Sequence, residues 1–132
     1  MRIRINVFWP AILAMIVATV LFCLPGKEFP EQDWFILVQL DKWVHVVLLG
    51  GLVSIWCLPL IHRVTGRRER YGKYWWVAIA LLFYGGLMEF IQWQFIPFRS
   101  FELGDLAADA IGCLTGTWFA RWQDNLQRKD DG

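Results

Sequence analysis

The chain has little with which to perform soluble-enzyme chemistry. Its 132 residues include only three cysteines and two histidines. Cys23, Cys57 and Cys113 all lie inside apolar runs and show no metal-ligand spacing. An odd number of them also argues against a disulfide framework, so they read as small packing residues. Val20, Leu21 and Phe22, just before Cys23, are not the small residues that lipoprotein processing needs. No serine or cysteine stands beside His45, and no glycine-rich phosphate loop occurs, so a nucleophile and a nucleotide fingerprint are both missing. The 13 lysines and arginines sit in short clusters beside apolar segments. A basic face is therefore lacking, which excludes a nucleic-acid partner. Internal repeats, low-complexity tracts and a second domain are absent too.

What the chain does have is apolar length. Hydrophobic residues make up 57% and aromatics 17%, with nine tryptophans, whereas soluble domains are nearer about 45–50% apolar. Four long apolar stretches point to an all-α membrane protein, a bundle of four transmembrane helices forming one domain over 1–132. The expected helices are Val7–Leu24, Trp43–Ile61, Tyr74–Ile96 and Gly104–Trp122, with 123–132 as a polar tail. The first apolar run is too long for a signal-peptide core and ends at Pro25-Gly26 without a small-residue cleavage site, so it reads as an uncleaved helix. The patch Trp34–Val38 is too short to span and is expected at the interface. A second helix starting at Trp34 is the alternative, with Asp41 and Lys42 then lying deeper.

Basic residues set the orientation. Arg2 and Arg4, the cluster Arg63, Arg67, Arg68, Arg70 and Lys73 in a 62–73 loop, and Arg121, Arg128 and Lys129 fall on one side. Lys27, Lys42 and Arg99 fall on the other. Both termini are therefore expected in the cytoplasm of a multi-pass protein of the bacterial plasma membrane. Trp9, Trp75, Trp76, Trp118 and Trp122 fall at inner helix ends, and Trp34, Trp43 and Trp93 at outer ends, as interfacial anchors do.

This topology brings polar residues to a common depth. Asp41, Lys42 and His45 lie at the outer end of the second helix. At 1.5 Å per residue, Gln92 and Glu89 lie about 6 and about 10 Å below the outer end of the third. Asp105 falls at the rim of the fourth helix, Asp109 about 7 Å below it, and Arg99 in the connecting turn. Charge inside an apolar helix costs a few kcal/mol or more and usually faces protein or water. Glu89 and Gln92 are i,i+3, Asp105 and Asp109 i,i+4, so each pair shares a helix face. With His45 neutral, Asp41, Glu89, Asp105 and Asp109 outnumber Lys42 and Arg99 by two. Like charges in a poorly hydrated site cannot all ionise cheaply, so the set can bind a proton, a cation or a cationic group, or protonate His45. Asp, Glu and His suit a divalent metal in principle, but the spacing matches no known ligand motif, and no cofactor is expected. Plainer readings exist: Asp41 and His45 as a hydrogen-bonded pair at a helix start, Glu89 and Gln92 as interhelical glue. Gly112 and Gly116 form G-x-x-x-G, a small-residue face for helix packing.

The order DKWVH at 41–45, EFIQ at 89–92, PFR at 97–99 and DLAADAIG at 105–112 resembles the VanZ-like family, small integral membrane proteins named for a teicoplanin-resistance factor. The resemblance covers roughly residues 41–116. The family pattern is Asp-Lys-x-x-His, then Glu-x-x-Gln with a following Arg, then Asp-x-x-x-Asn-x-x-Gly. Asp41, Lys42, His45, Glu89, Gln92, Arg99, Asp105 and Gly112 fall on it, while Asp109 stands where the family usually has Asn. The resemblance implies a cell-envelope role connected with glycopeptide (teicoplanin) susceptibility. The expected function is an outer-leaflet polar pocket that binds a lipid-linked cell-wall precursor or an amphiphilic ligand such as a glycopeptide. Two alternatives stay open. One is a small intramembrane enzyme using His45 or Glu89 as general base, with Arg99 holding an anionic group. The other is a proton-coupled transporter.

Overall fold

A computed structural model describes residues 7–25 and 34–130, with the side chains of 34–39 and 130 left out. The described residues form four α-helices and no strand: α1 Trp9–Phe22, α2 Trp34–Arg63, α3 Arg67–Phe95 and α4 Leu103–Asp130. Arg2, Arg4 and residues 26–33, which entered the orientation and loop expectations, lie outside the described residues.

Helix boundaries follow local chemistry, and several differ from the sequence expectation. Pro10 sits in the first turn of α1, where its missing N–H costs nothing. The helix ends at Phe22, ahead of Pro25. Its 14 residues are about 21 Å long at 1.5 Å per residue, short of the expected 7–24 and of a hydrocarbon core of about 30 Å. The patch at 34–38 is not a separate interfacial segment but the first turns of α2. Asp41 and Lys42, whose depth argued against that continuity, are both paired from other elements. Most of the expected 62–73 loop is helix as well. Gly66 is extended at the N-cap of α3, Glu69 lies in the first turn where the helix dipole favours a carboxylate, and Glu69 pairs with Lys73 at 2.9 Å. At the far end α4 runs through 123–130, so this part of the expected tail is helical too.

Two segments, Leu40–Arg63 and Arg67–Phe95, are long and apolar enough to cross a membrane by length and composition. The distribution of polarity is inverted relative to a water-soluble bundle. Val47, Phe83 and Trp118 are 67%, 77% and 68% exposed, while His45, Glu89, Asp109, Arg70 and Asp124 are at most 2% exposed.

Packing is tightest between α2 and α4. A Cβ added at Gly112 would stand 2.7 Å from the Val46 carbonyl oxygen, and one at Gly116 2.9 Å from Val53 Cβ. Gly50 faces them from α2, where a Cβ would meet the Gly112 oxygen at 3.1 Å. Around this contact Leu49, Val53, Cys57, Tyr74 and Cys113 form the core, and all three cysteines are free. Below it a second polar contact joins α3 to α4: Arg70 Nε donates to Asp124 Oδ2 at 2.9 Å, and Arg70 Nη1 donates to the carbonyl of Val64 just beyond α2.

Two substitutions test this packing. Gly112→Ala is expected to destabilise the bundle by about 1–3 kcal/mol through overpacking. Gly51→Ala, where a Cβ meets nothing within 4 Å, should be neutral or slightly stabilising. Equal melting midpoints for the two in detergent would refute the close α2–α4 approach. Asp124→Ala, which leaves the Arg70 guanidinium buried without its carboxylate, should cost about 3–5 kcal/mol, and a loss below about 1 kcal/mol would show that the pair is not buried.

Candidate functional site

One end of the bundle collects the N-terminal half of the membrane-length part of α2, the C-terminal end of α3, the 96–102 turn and the first turns of α4. The i,i+4 spacing of Asp41 and His45 puts both on one face of α2. Glu89 reaches in from α3, and Asp109 from the second turn of α4. At the centre His45 Nδ1 hydrogen-bonds Asp109 Oδ1 at 2.8 Å, and His45 Nε2 stands 3.7 Å from Glu89 Oε1. An ionised carboxylate only accepts, so in the neutral imidazole Nδ1 carries the proton and Nε2 the lone pair. Three polar atoms here, His45 Nε2, Glu89 Oε1 and Asp109 Oδ2, are buried without a hydrogen-bond partner. Glu89 Oε2 accepts from the Glu102 amide at 3.4 Å.

Above this centre lies a partly exposed rim. Lys42 Nζ donates to Glu102 Oε2 at 2.9 Å and to Asp105 Oδ1 at 3.1 Å. Arg99 Nη1 donates to both oxygens of Asp41 at 3.0 Å. Side-chain exposure is 22% for Arg99, 30% for Asp41, 33% for Lys42 and 40% for Glu102, with Asp105 nearly covered at 6%. The turn that presents Arg99 contains Phe98 at φ 60°, a left-handed conformation that non-glycine residues seldom adopt.

Seven of the sequence-predicted residues thus meet: Asp41, Lys42, His45, Glu89, Arg99, Asp105 and Asp109. Gln92 does not join them. Its Nε2 donates to the Phe22 carbonyl at 2.8 Å, satisfying one of the acceptors left open at the end of α1. The Phe22 ring in turn packs 4.8 Å from the His45 ring. Gly112 and Gly116 lie deeper, in the α2–α4 contact. The central residues are closed off from the surface, His45, Glu89 and Asp109 being 0–1% exposed. An apolar groove of about 450 Å³ lies elsewhere, along α1, lined by Ile12, Met15, Ile16, Thr19, Val20 and Trp56.

Sequence reasoning missed Glu102 and the role of Gly85. Glu102 lies three residues from both Arg99 and Asp105, so its proximity to the rim was readable. Gly85 lies one turn before Glu89, and a Cβ there would run into the Asp109 carboxylate. The glycine leaves room on α3 for that side chain to pack against the helix backbone.

No protein-family model matches the chain, and comparisons with curated proteins and with solved structures return no match.

The central contact can be tested directly. In a background without Cys23, Cys57 and Cys113, cysteine pairs at 45/109 and 45/89 should cross-link with short bifunctional reagents. A lipid-facing label at either 89 or 109, with no cross-link to 45, would dismantle the site.

Proposed function

We propose that the chain is a VanZ-like, four-pass protein of the bacterial plasma membrane that binds the polar headgroup of a lipid-linked or amphiphilic envelope molecule at its Lys42–Arg99 rim. The observation that carries this reading is a mixed-charge, partly exposed rim above a fully buried polar floor at one end of the bundle. A pyrophosphate or carboxylate headgroup would compete with Asp41 for Arg99 and with Glu102 for Lys42. Both pairs are partly exposed, so a headgroup can reach them from the surface. The resemblance in DKWVH, EFIQ, PFR and DLAADAIG supports a link to glycopeptide susceptibility.

Support for four passes comes from α1 and α4, although neither has the length and composition of α2 and α3. Both turn apolar side chains outward: Leu13, Ile16 and Val17 on α1, Ile111, Leu114 and Trp118 on α4. The uneven distribution of basic residues supports cytoplasmic termini and a rim in the outer half. The acid–base alternative needs His45 or Glu89 to reach a substrate atom. Both are closed off from the surface, so headgroup binding is the reading the geometry favours.

In nanodiscs, the protein should bind a lipid-linked cell-wall precursor, teicoplanin or both, and Arg99→Lys should weaken this at least about tenfold, because lysine keeps the charge but loses the planar guanidinium. Cells expressing the protein should show altered teicoplanin susceptibility, abolished by the same substitution at equal membrane abundance. Reporter fusions after Gly26, Gly66, Pro97 and the tail should alternate out, in, out, in. Unchanged affinity of Arg99→Lys, or a periplasmic signal at Gly66, would overturn the reading.

A further inference from the structure

The headgroup reading leaves the buried floor unexplained. Five carboxylates, Asp41, Glu89, Glu102, Asp105 and Asp109, face two fixed cations, Lys42 and Arg99. His45 Nε2 and Glu89 Oε1 stand 3.7 Å apart, both buried without a hydrogen-bond partner. That separation is too long for a hydrogen bond. For a protein confined to apolar surroundings, leaving both groups bare is costly.

We propose that Asp41, His45 and Asp105, with Glu89 beside them, form a binding site for a divalent transition-metal cation of the zinc class. One donor atom from each of Asp41, His45 and Asp105 lies within 4.8 Å of the others. Donors around one such ion bind at about 2.0–2.2 Å, so closing the set takes side-chain shifts of about an ångström. Asp41 and His45 come from successive turns of one face of α2, and Asp105 arrives from α4.

The surroundings fit a metal-bound imidazole. A histidine that ligates through one nitrogen almost always donates its other N–H to a carboxylate or carbonyl, which fixes tautomer and ring orientation. Asp109 does this for Nδ1 at 2.8 Å, leaving Nε2, which is buried without a partner, as the free donor atom for a metal. Lys42 takes only Oδ1 of Asp105, leaving Oδ2 for an ion. Arg99 orients the Asp41 carboxylate through both of its oxygens. Charge balance agrees: the carboxylates exceed the fixed cations by three, so a divalent ion leaves the cluster near neutrality. The imidazole selects a first-row transition metal over magnesium or calcium, which prefer all-oxygen sites. The ligands are spread over two helices, with Asp41 and His45 in one i,i+4 pair, which explains why no linear ligand motif shows in the sequence.

This proposal is independent of headgroup binding, because it is measured on purified full-length protein in detergent with no lipid ligand added. Equilibrium dialysis with Zn²⁺ should give one equivalent per chain, and Co²⁺ should produce visible d–d bands. His45→Ala should abolish both. Asp109→Asn, which keeps the shape but weakens the orienting hydrogen bond, should lower affinity about 10–100-fold. His62→Gln, altering the exposed second histidine, should change nothing. Circular dichroism and gel filtration confirm that each variant is folded. Should His45→Ala prove misfolded, the Asp109→Asn affinity shift decides the matter. Less than about a tenth of an equivalent in the unaltered protein, retention of metal by folded His45→Ala, or unchanged affinity in Asp109→Asn would each overturn the proposal.

Discussion

Everything at the polar end depends on one contact, the 2.8 Å hydrogen bond between His45 and Asp109. Removing a carboxylate from water costs several kcal/mol, which only close pairing and hydrogen bonding offset. Asp109 is fully buried, so it needs the imidazole, and the imidazole fixes where α2 stands against α4. Gly85 must then be small, because the same carboxylate lies against α3. Glu89 completes the array from that helix, and its other oxygen reaches the amide that opens α4. A chain that placed His45 and Asp109 on different levels would carry two unpaired polar groups in its interior.

The remaining contacts reinforce that register. Helix α4 meets its neighbours at three heights: Lys42–Asp105 and His45–Asp109 at one end, Gly50 against Gly112 and Gly116 in the middle, and Arg70–Asp124 at the other end. The middle contact relies on backbone approach, with glycines on both helices where a Cβ would crowd the facing helix. The Arg70–Asp124 pair is structural in character: the guanidinium also ties the α2–α3 connection through the Val64 carbonyl. The two ends differ in kind. Arg70 and Asp124 are both at most 2% exposed, whereas the His45 centre carries a partly open rim of ion pairs. That difference is what supports placing the proposed binding at the His45 end.

Much of this was legible from residue order. Helical spacing placed Asp105 with Asp109 and Asp41 with His45 on shared faces, and a depth argument gave Glu89, Arg99 and His45 one level. What escaped was anything fixed by three-dimensional pairing. Asp41 and Lys42 looked too costly for a continuous α2 because their partners, Arg99, Glu102 and Asp105, come from about sixty residues later in the chain. Arg70 read as one of several loop cations because its burial depends on Asp124, part of what looked like a polar tail. Gln92 shares a face with Glu89, yet its reach to the Phe22 carbonyl depends on where α1 docks, which its apolar sequence does not specify. That the central residues are closed off from the surface was likewise invisible: polar residues at one depth can face an opening or each other, and only side-chain packing distinguishes the two.

His45 is held inside the bundle by Asp109. The chain has two histidines, so His62→Gln leaves a single imidazole for solid-state NMR of the protein in lipid bilayers. With ¹⁵N-histidine and ¹³C-aspartate labels, a strong dipolar contact is expected between the ring nitrogen Nδ1 and one aspartate carboxylate carbon, lost in Asp109→Ala. A His45 ring without such a contact, exchanging its N–H proton freely with water, would contradict this pairing.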